Sequence, residues 1–274
     1  MMAALSLSAV ASRPAQGQQR WVEDEAVLAP ARARFSAGGG LLLMTYPGVS
    51  AGDRMSIIGW GWNLEAAAGL GHNLEIGARL GLRDAEGRAI HADEAARVMD
   101  TETFGVGLGT VANPELRLRW RVLSRGRIEA GIEDRIVFPV PRYLDVTEVL
   151  GAWASLHGGR FVRVDVALNA VFIWRSFAAG RVFQPGLGLP VRFSVNITSG
   201  LFAGVVATTH YFASTTYTAA QTTVTVGAGL GYRYRACDLY AAYQRFDAFS
   251  SEVANGATEH TGIGLALSCR LPPR

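Results

Sequence analysis

The sequence contains no lysine. All 26 of its basic residues are arginine, which fits a GC-rich coding sequence and equally fits enclosed ion-pair networks, because the planar guanidinium bonds carboxylates in fixed geometry. Long apolar runs are also missing: although 49% of residues are hydrophobic and 18% charged, no stretch reaches the roughly 18 apolar residues that a membrane-spanning helix needs. No Pro-rich or Ser-rich linker divides the 274 residues, which excludes an obvious two-domain arrangement. There is no glycine-rich phosphate loop, no CxxC and no metal-ligand spacing. No metal, cofactor or catalytic set is therefore expected. A net charge of +3 is too small to argue for nucleic acid.

At the N-terminus the basic start of a secretory signal is lacking, but its other parts are present. Met1 to Val10 is a short apolar core and Ala9-Val10-Ala11 fits the small-x-small cleavage pattern, so residues 1–19 read as a signal peptide. Residues 20–32 follow as an N-terminal segment, and residues 33–274 as a single domain.

That domain alternates apolar and polar residues almost throughout. In HNLEIGARLGLRD, Leu74, Ile76, Ala78, Leu80 and Leu82 share one face and Glu75, Gly77, Arg79, Gly81 and Arg83 the other. The same period of two recurs in TTVTVGAGLGYRYR and, most sharply, in ELRLRWRVLSRGRIEAGIEDRIVF. Twelve strands are predicted, over 33–45, 55–70, 73–84, 103–123, 127–138, 147–157, 160–174, 187–198, 201–212, 222–235, 239–249 and 259–271. The fourth runs straight through Pro114, the sixth has a short helix as its alternative, and a helix is predicted only over 85–100, within a loop. Short turns, such as Gly71-His72 and Ser124-Arg125-Gly126, alternate with long connections that include 85–102 and 175–186.

A soluble sandwich would show the same alternation. Three features favour a membrane barrel instead: strands about twice the usual five or six residues, glycines concentrated on the polar face, and the export signal. On this pattern the chain resembles bacterial outer-membrane β-barrel proteins, whose short turns lie on the periplasmic side. The resemblance implies an all-β, transmembrane, antiparallel up-and-down barrel in the outer membrane, with both termini periplasmic. It also implies two aromatic girdles: Trp120, Phe161, Phe202, Tyr232, Tyr234 and Tyr240 at the periplasmic rim, and Phe104, Phe138, Phe172, Trp174, Tyr211, Phe212 and Phe246 at the outer one. The partners it implies are outer-membrane lipid and the barrel assembly machinery, which reads a final strand of polar-x-Gly-x-x-aromatic-x-aromatic. Here HTGIGLAL supplies His260 and Gly262, and Leu265 and Leu267 stand where aromatics are usual.

With Leu116, Leu118, Trp120 and Ile132 facing lipid, the alternate positions face the lumen. A charge on the lipid side would cost about 2 to 4 kcal/mol near the midplane. Asp134, which breaks the pattern, is expected near the outer rim. The expected lumen residues are Glu65, Glu75, Arg79, Arg83, Glu115, Arg117, Arg119, Arg121, Arg127, Glu129, Glu133, Arg135, Arg163, Asp165, Arg192, Arg233 and Arg235, eleven arginines against six carboxylates. Charged pore walls select ions by sign. The expected function is a narrow passive channel preferring anions or small acidic solutes, the alternatives being a closed scaffold or surface-binding barrel and a hydrolase with a site at the rim. His210 with Thr209 and Ser214, and Glu259 with His260, are the histidine groupings such a hydrolase would use, and His91 with Asp93 and Glu94 could hold a cation. Neither rim grouping forms a nucleophile, base and orienter. Cys237 and Cys269 fall opposite each other across the last hairpin, and a disulfide is expected between them if an irregular turn at Cys237 offsets its assignment to the lumen parity of Leu239 and Arg245.

Overall fold

The computed structural model describes residues 26–47, 54–86, 114–138, 146–177, 180–215, 220–245 and 259–271. Twelve antiparallel strands close into a barrel in which each pairs with its sequence neighbours and the last returns to the first. They are β1 (Ala33–Pro47), β2 (Arg54–Gly71), β3 (Leu74–Glu86), β4 (Glu115–Arg125), β5 (Ile128–Val137), β6 (Val146–Gly158), β7 (Val162–Phe177), β8 (Gly180–Asn196), β9 (Leu201–Phe212), β10 (Gln221–Tyr234), β11 (Cys237–Arg245) and β12 (Glu259–Leu271). Closure is made by β1 against β12, from Ala33 opposite Leu271 to Thr45 opposite Glu259. Both ends of the closing seam therefore satisfy their main-chain groups, as a bilayer demands.

The alternation sorts residues strictly. Leu64, Leu118, Ile132, Leu168, Leu230 and Leu265 are each 44% or more exposed on the outside, whereas Glu75, Arg163, Ser194, Thr208 and Arg233 are at most 5% exposed inside. This is the reverse of a soluble protein, and it suits a lipid-facing exterior. The turns that follow the even-numbered strands lie at one end. Gly71, His72 and Asn73 after β2, Gly126 after β4, Gly159 after β6 and Arg235 after β10 take positive φ there, the left-handed conformation that two-residue hairpins use.

Several expectations require correction. β4 begins at Glu115, after Pro114, and residues 103–113 lie outside the described residues. The sixth predicted strand, 147–157, is strand as expected and not the short helix that was its alternative. The long connection expected over 175–186 is mostly strand: β7 and β8 continue to Phe177 and from Gly180, with Trp174 opposite Phe183 and Phe172 stacked on Phe183 at 6.0 Å. Aromatic cross-strand pairs of this kind extend a hairpin beyond the point where the apolar alternation fades. Of the predicted helix, Ala85 and Glu86 end β3 and the remainder lies outside the described residues, as do Phe104 and Phe246. Phe202 and Phe212 point inward, at 2% and 4% exposure, and Tyr240 shares the inward parity of Ala242. The exposed rings at the short-turn end include Phe35, Trp120, Phe161, Tyr232 and Tyr234.

Asp134 lies on the outward parity of β5 between Leu118 of β4 and Leu150 of β6. Cys237 and Leu239 also have outward parity, Leu239 being 48% exposed. Cys237 and Cys269 are direct cross-strand partners and form a disulfide, with Cα atoms 4.1 Å apart. The expected lumen parity of Cys237 was therefore wrong by one residue: the turn is Arg235 and Ala236, and the strand starts at Cys237 itself.

Candidate functional site

The interior is the one place where the fold gathers chemistry. β2 to β5 carry its densest part, because register sets their charged positions side by side: Arg119 is opposite both Glu75 and Glu133, Arg79 is opposite Glu115, and Gly77 is opposite Arg117. A side chain at Gly77 would stand 3.3 Å from an Arg117 terminal nitrogen, so the glycine leaves the space the guanidinium uses.

Arg117 reaches two carboxylates, with Nη2 3.0 Å from Glu65 Oε1 and 3.2 Å from Glu75 Oε1. Arg34 approaches the same two at 3.4 and 3.7 Å. Alongside, Glu133 is held by Arg119 at 2.5 Å and by Arg135 at 2.8 Å. Arg121 donates to Glu129 at 2.6 Å and to Asn73 at 2.8 Å, and Arg79 lies 3.7 Å from Glu115. Farther round, Asp165 accepts from Arg163 at 2.6 Å, from Arg192 at 2.8 and 2.6 Å, and from Ser155. A last group, on β10 to β12, joins Asp238 to Arg233 and to Arg270 at 3.3 Å. Buried charges are tolerated only when paired and hydrogen-bonded, and the forked guanidinium lets one arginine serve two carboxylates.

Most sequence-selected residues take part: Glu65, Glu75, Arg79, Arg117, Arg119, Arg121, Glu129, Glu133, Arg135, Arg163, Asp165, Arg192 and Arg233 all line the interior. Arg127 and Arg235 do not. Both are exposed turn residues at the short-turn end, where the strand alternation that placed them inside has ceased. Around Arg127 the register slips at Val122, which is accommodated between Arg121 and Leu123 without a partner on β5. The Arg235 guanidinium lies 5.1 Å from the Tyr234 ring centre. The side chain of Arg83 lies outside the described set. Arg34, Asp238 and Arg270 were missed by the pattern, since they sit at strand ends or in what read as a turn, and Ser155 was passed over as an uncharged residue; Asn73, which shares the polar face of Glu75 in the sequence, sits in the turn before β3.

In most of the described pairs the arginine is the more exposed partner: 24% against 1% for Arg34 and Glu75, 18% against 6% for Arg119 and Glu133, and 20% against 8% for Arg270 and Asp238. The order is reversed in Arg117–Glu65, Arg163–Asp165 and Arg233–Asp238, where the carboxylate is the more exposed partner.

The His210 grouping is not assembled. His210 is buried at 5% exposure and stacked on Phe212 at 6.0 Å, while Thr209 takes the opposite, outward parity and Ser214 is exposed. The side chain of His260, and His91, Asp93 and Glu94, fall outside what is described.

A second feature was invisible in the sequence. Residues 26–32, which precede β1, fold back into the barrel at the short-turn end. Ala26, Val27 and Leu28 are buried, Val27 completely, and Ala26 and Val27 cluster with the lumen-facing Trp153. The amide of Leu28 donates to Glu75 at 2.8 Å, that of Ala26 to Glu129 at 3.3 Å, and Arg119 donates to the Ala26 carbonyl at 3.1 Å.

No family model matches the chain, and comparison with curated proteins finds no match either. Solved structures do match it. The NanC porin superposes with a TM-score of 0.60 at 9% identity, covering 86% of this chain and 100% of that one. An outer-membrane channel from Pseudomonas putida F1 gives 0.58 at 13% identity, over 90% and 99% of the two chains. The KdgM porin, solved in complex with disordered oligogalacturonate, gives 0.52 at 7% identity, over 85% and 98%. At these identities the likeness is one of fold: the chain has the twelve-stranded barrel of outer-membrane porins and channels.

Proposed function

We propose that this barrel is a passive outer-membrane channel for small anionic or acidic solutes, with its short turns and both termini on the periplasmic side. The observation that carries the reading is the order of the charges inside. Because in most of the described pairs the carboxylate is the more buried partner, the charged surface presented to a solute is weighted toward guanidinium. Such a lining lowers the energy of an anion and raises that of a cation without offering a tight site, as a conducting pore requires. The fold is shared with a porin solved with oligogalacturonate, an acidic carbohydrate, which supports the same solute class here. The planar fork would engage a carboxylate through two parallel bonds.

Single-channel recording in a planar bilayer under a salt gradient tests this. The expected result is steady steps whose reversal potential lies toward the anion value, moving toward zero in Arg192→Gln, which removes an exposed partner of Asp165 while leaving Arg163 to hold that carboxylate. Cation preference in the unaltered protein would overturn the reading. Docking of residues 26–28 against the interior favours a second reading, a sealed barrel acting as scaffold or surface binder. Silence from a folded, heat-modifiable preparation would select it.

A further inference from the structure

The bonds that hold residues 26–28 are bonds to main chain. Glu75 and Glu129 accept the Leu28 and Ala26 amides, and Arg119 donates to the carbonyl between them. The segment bends at Ala26 and Val27, and the two amides and the carbonyl between them all meet the wall, so a carboxylate, guanidinium and carboxylate arranged in this order can hold main chain whatever its side chains. One apolar contact completes the set, Val27 beside Trp153, on which Arg119 also rests at 5.5 Å. The neighbouring residues are seated independently. Ala31 donates to the Gly69 carbonyl at 3.2 Å and Gly69 donates to that of Arg32 at 3.0 Å, a short stretch of pairing on the end of β2. A side chain at Gly69 would stand 2.2 Å from the Ala29 carbonyl oxygen, so the close crossing of the segment requires glycine there.

We propose that Glu75, Arg119 and Glu129 form a binding site for polypeptide backbone inside the lumen, that Ala26–Leu28 is its resident occupant, and that this occupant narrows the conduction path. The last clause rests on the channel reading above; the peptide site does not. The three wall residues remain neutralised when the segment leaves, since Glu75 keeps Arg117, Arg119 keeps Glu133 and Glu129 keeps Arg121. Nothing in the wall therefore forbids the vacated state.

Two variants displace the segment from opposite sides. Val27→Asp puts a charge where Trp153 packs, and Gly69→Val puts bulk where the segment crosses β2. Heat-modifiable migration first establishes that each barrel is folded. Hydrogen exchange then follows the amides of Ala26 and Leu28 in the unaltered protein and the conductance follows in all three. The site predicts amides that exchange orders of magnitude more slowly than an unstructured peptide in the unaltered protein. It predicts a severalfold larger conductance in both variants, or in whichever one folds. Fast exchange at both amides in the unaltered, folded barrel would overturn the site. Slow exchange with conductance unchanged by displacement would leave the site and overturn its narrowing role. Slow exchange with no conductance in any of the proteins would remove the channel reading alone.

Discussion

The two halves of the inner wall are built on different principles. On β2 to β5 most inward side chains are long and charged, and they pair across strands far apart in sequence, as Glu65 does with Arg117, while β6 to β8 mix Arg163, Asp165 and Arg192 with the buried Val149, Trp153, Val171 and Ile173. On β9 to β12 they are mostly small: Gly204, Gly227, Gly231, Ala242, Gly262, Gly264 and Ala266 face inward. There the larger side chains lie flat over neighbouring glycines. A side chain at Gly231 would stand 2.2 Å from the Phe202 ring, and one at Gly227 would stand 2.9 Å from Gln244. One wall projects into the interior and is held by ion pairs. The other is thinner, and is held by its main-chain ladder, by the Cys237–Cys269 disulfide and, at the short-turn end, by the Asp238 pairs with Arg233 and Arg270. In the channel reading, the first wall supplies charge and the second supplies room.

The sharpest way to break this contrast is Arg117→Ala. It strands Glu65 and the 1%-exposed Glu75 with less compensation, and breaking a buried pair costs about 3 to 5 kcal/mol. The midpoint of urea unfolding in detergent, read as loss of the heat-modifiable band, should fall accordingly. Next comes Cys237→Ser on the thin wall, which releases a link across a 32-residue separation. A loss of about 2 to 4 kcal/mol is expected in the same assay. Gly231→Val should cost less, about 1 to 3 kcal/mol, because Phe202 must leave its rotamer to admit two methyl groups. The smallest effect is expected from Arg79→Gln. Its 3.7 Å approach to Glu115 is the loosest of the pairs on the charged wall apart from one made by Arg34, and weak pairs contribute about 0 to 1 kcal/mol. If Arg79→Gln proved as damaging as Arg117→Ala, the charged wall would be one cooperative unit rather than a set of graded pairs.

How far the sequence reveals these features depends on what each one rests on. Alternation in β3, β4 and β10 is enforced by lipid on one side, so strand number, facing and the interior positions of Arg117, Arg119 and Glu133 were legible. It fails where that constraint stops. Arg127 and Arg235 continue the polar parity on paper but sit in turns exposed beyond the strands. Asp238 read as a turn residue and is a buried strand residue instead, the anchor of Arg233 and Arg270. Arg34 opens the Gly-rich strand β1, where AGGG carries little pattern. The fold-back of residues 26–32 left almost no trace, because its bonds use main-chain groups that every residue possesses. A glycine at position 69, in the third residue before a turn, was its only signal, and it looked like ordinary hairpin composition.

Cys237 and Cys269 are directly opposite each other, so their bond can form only when β11 and β12 are aligned as in the finished barrel. A slip by one residue would turn one strand inside out relative to the other. Since β12 is also the strand that meets β1, oxidation converts the last hairpin into a single pre-aligned edge. A bond formed before closure would make sealing the cylinder the docking of a finished edge instead of a search among registers.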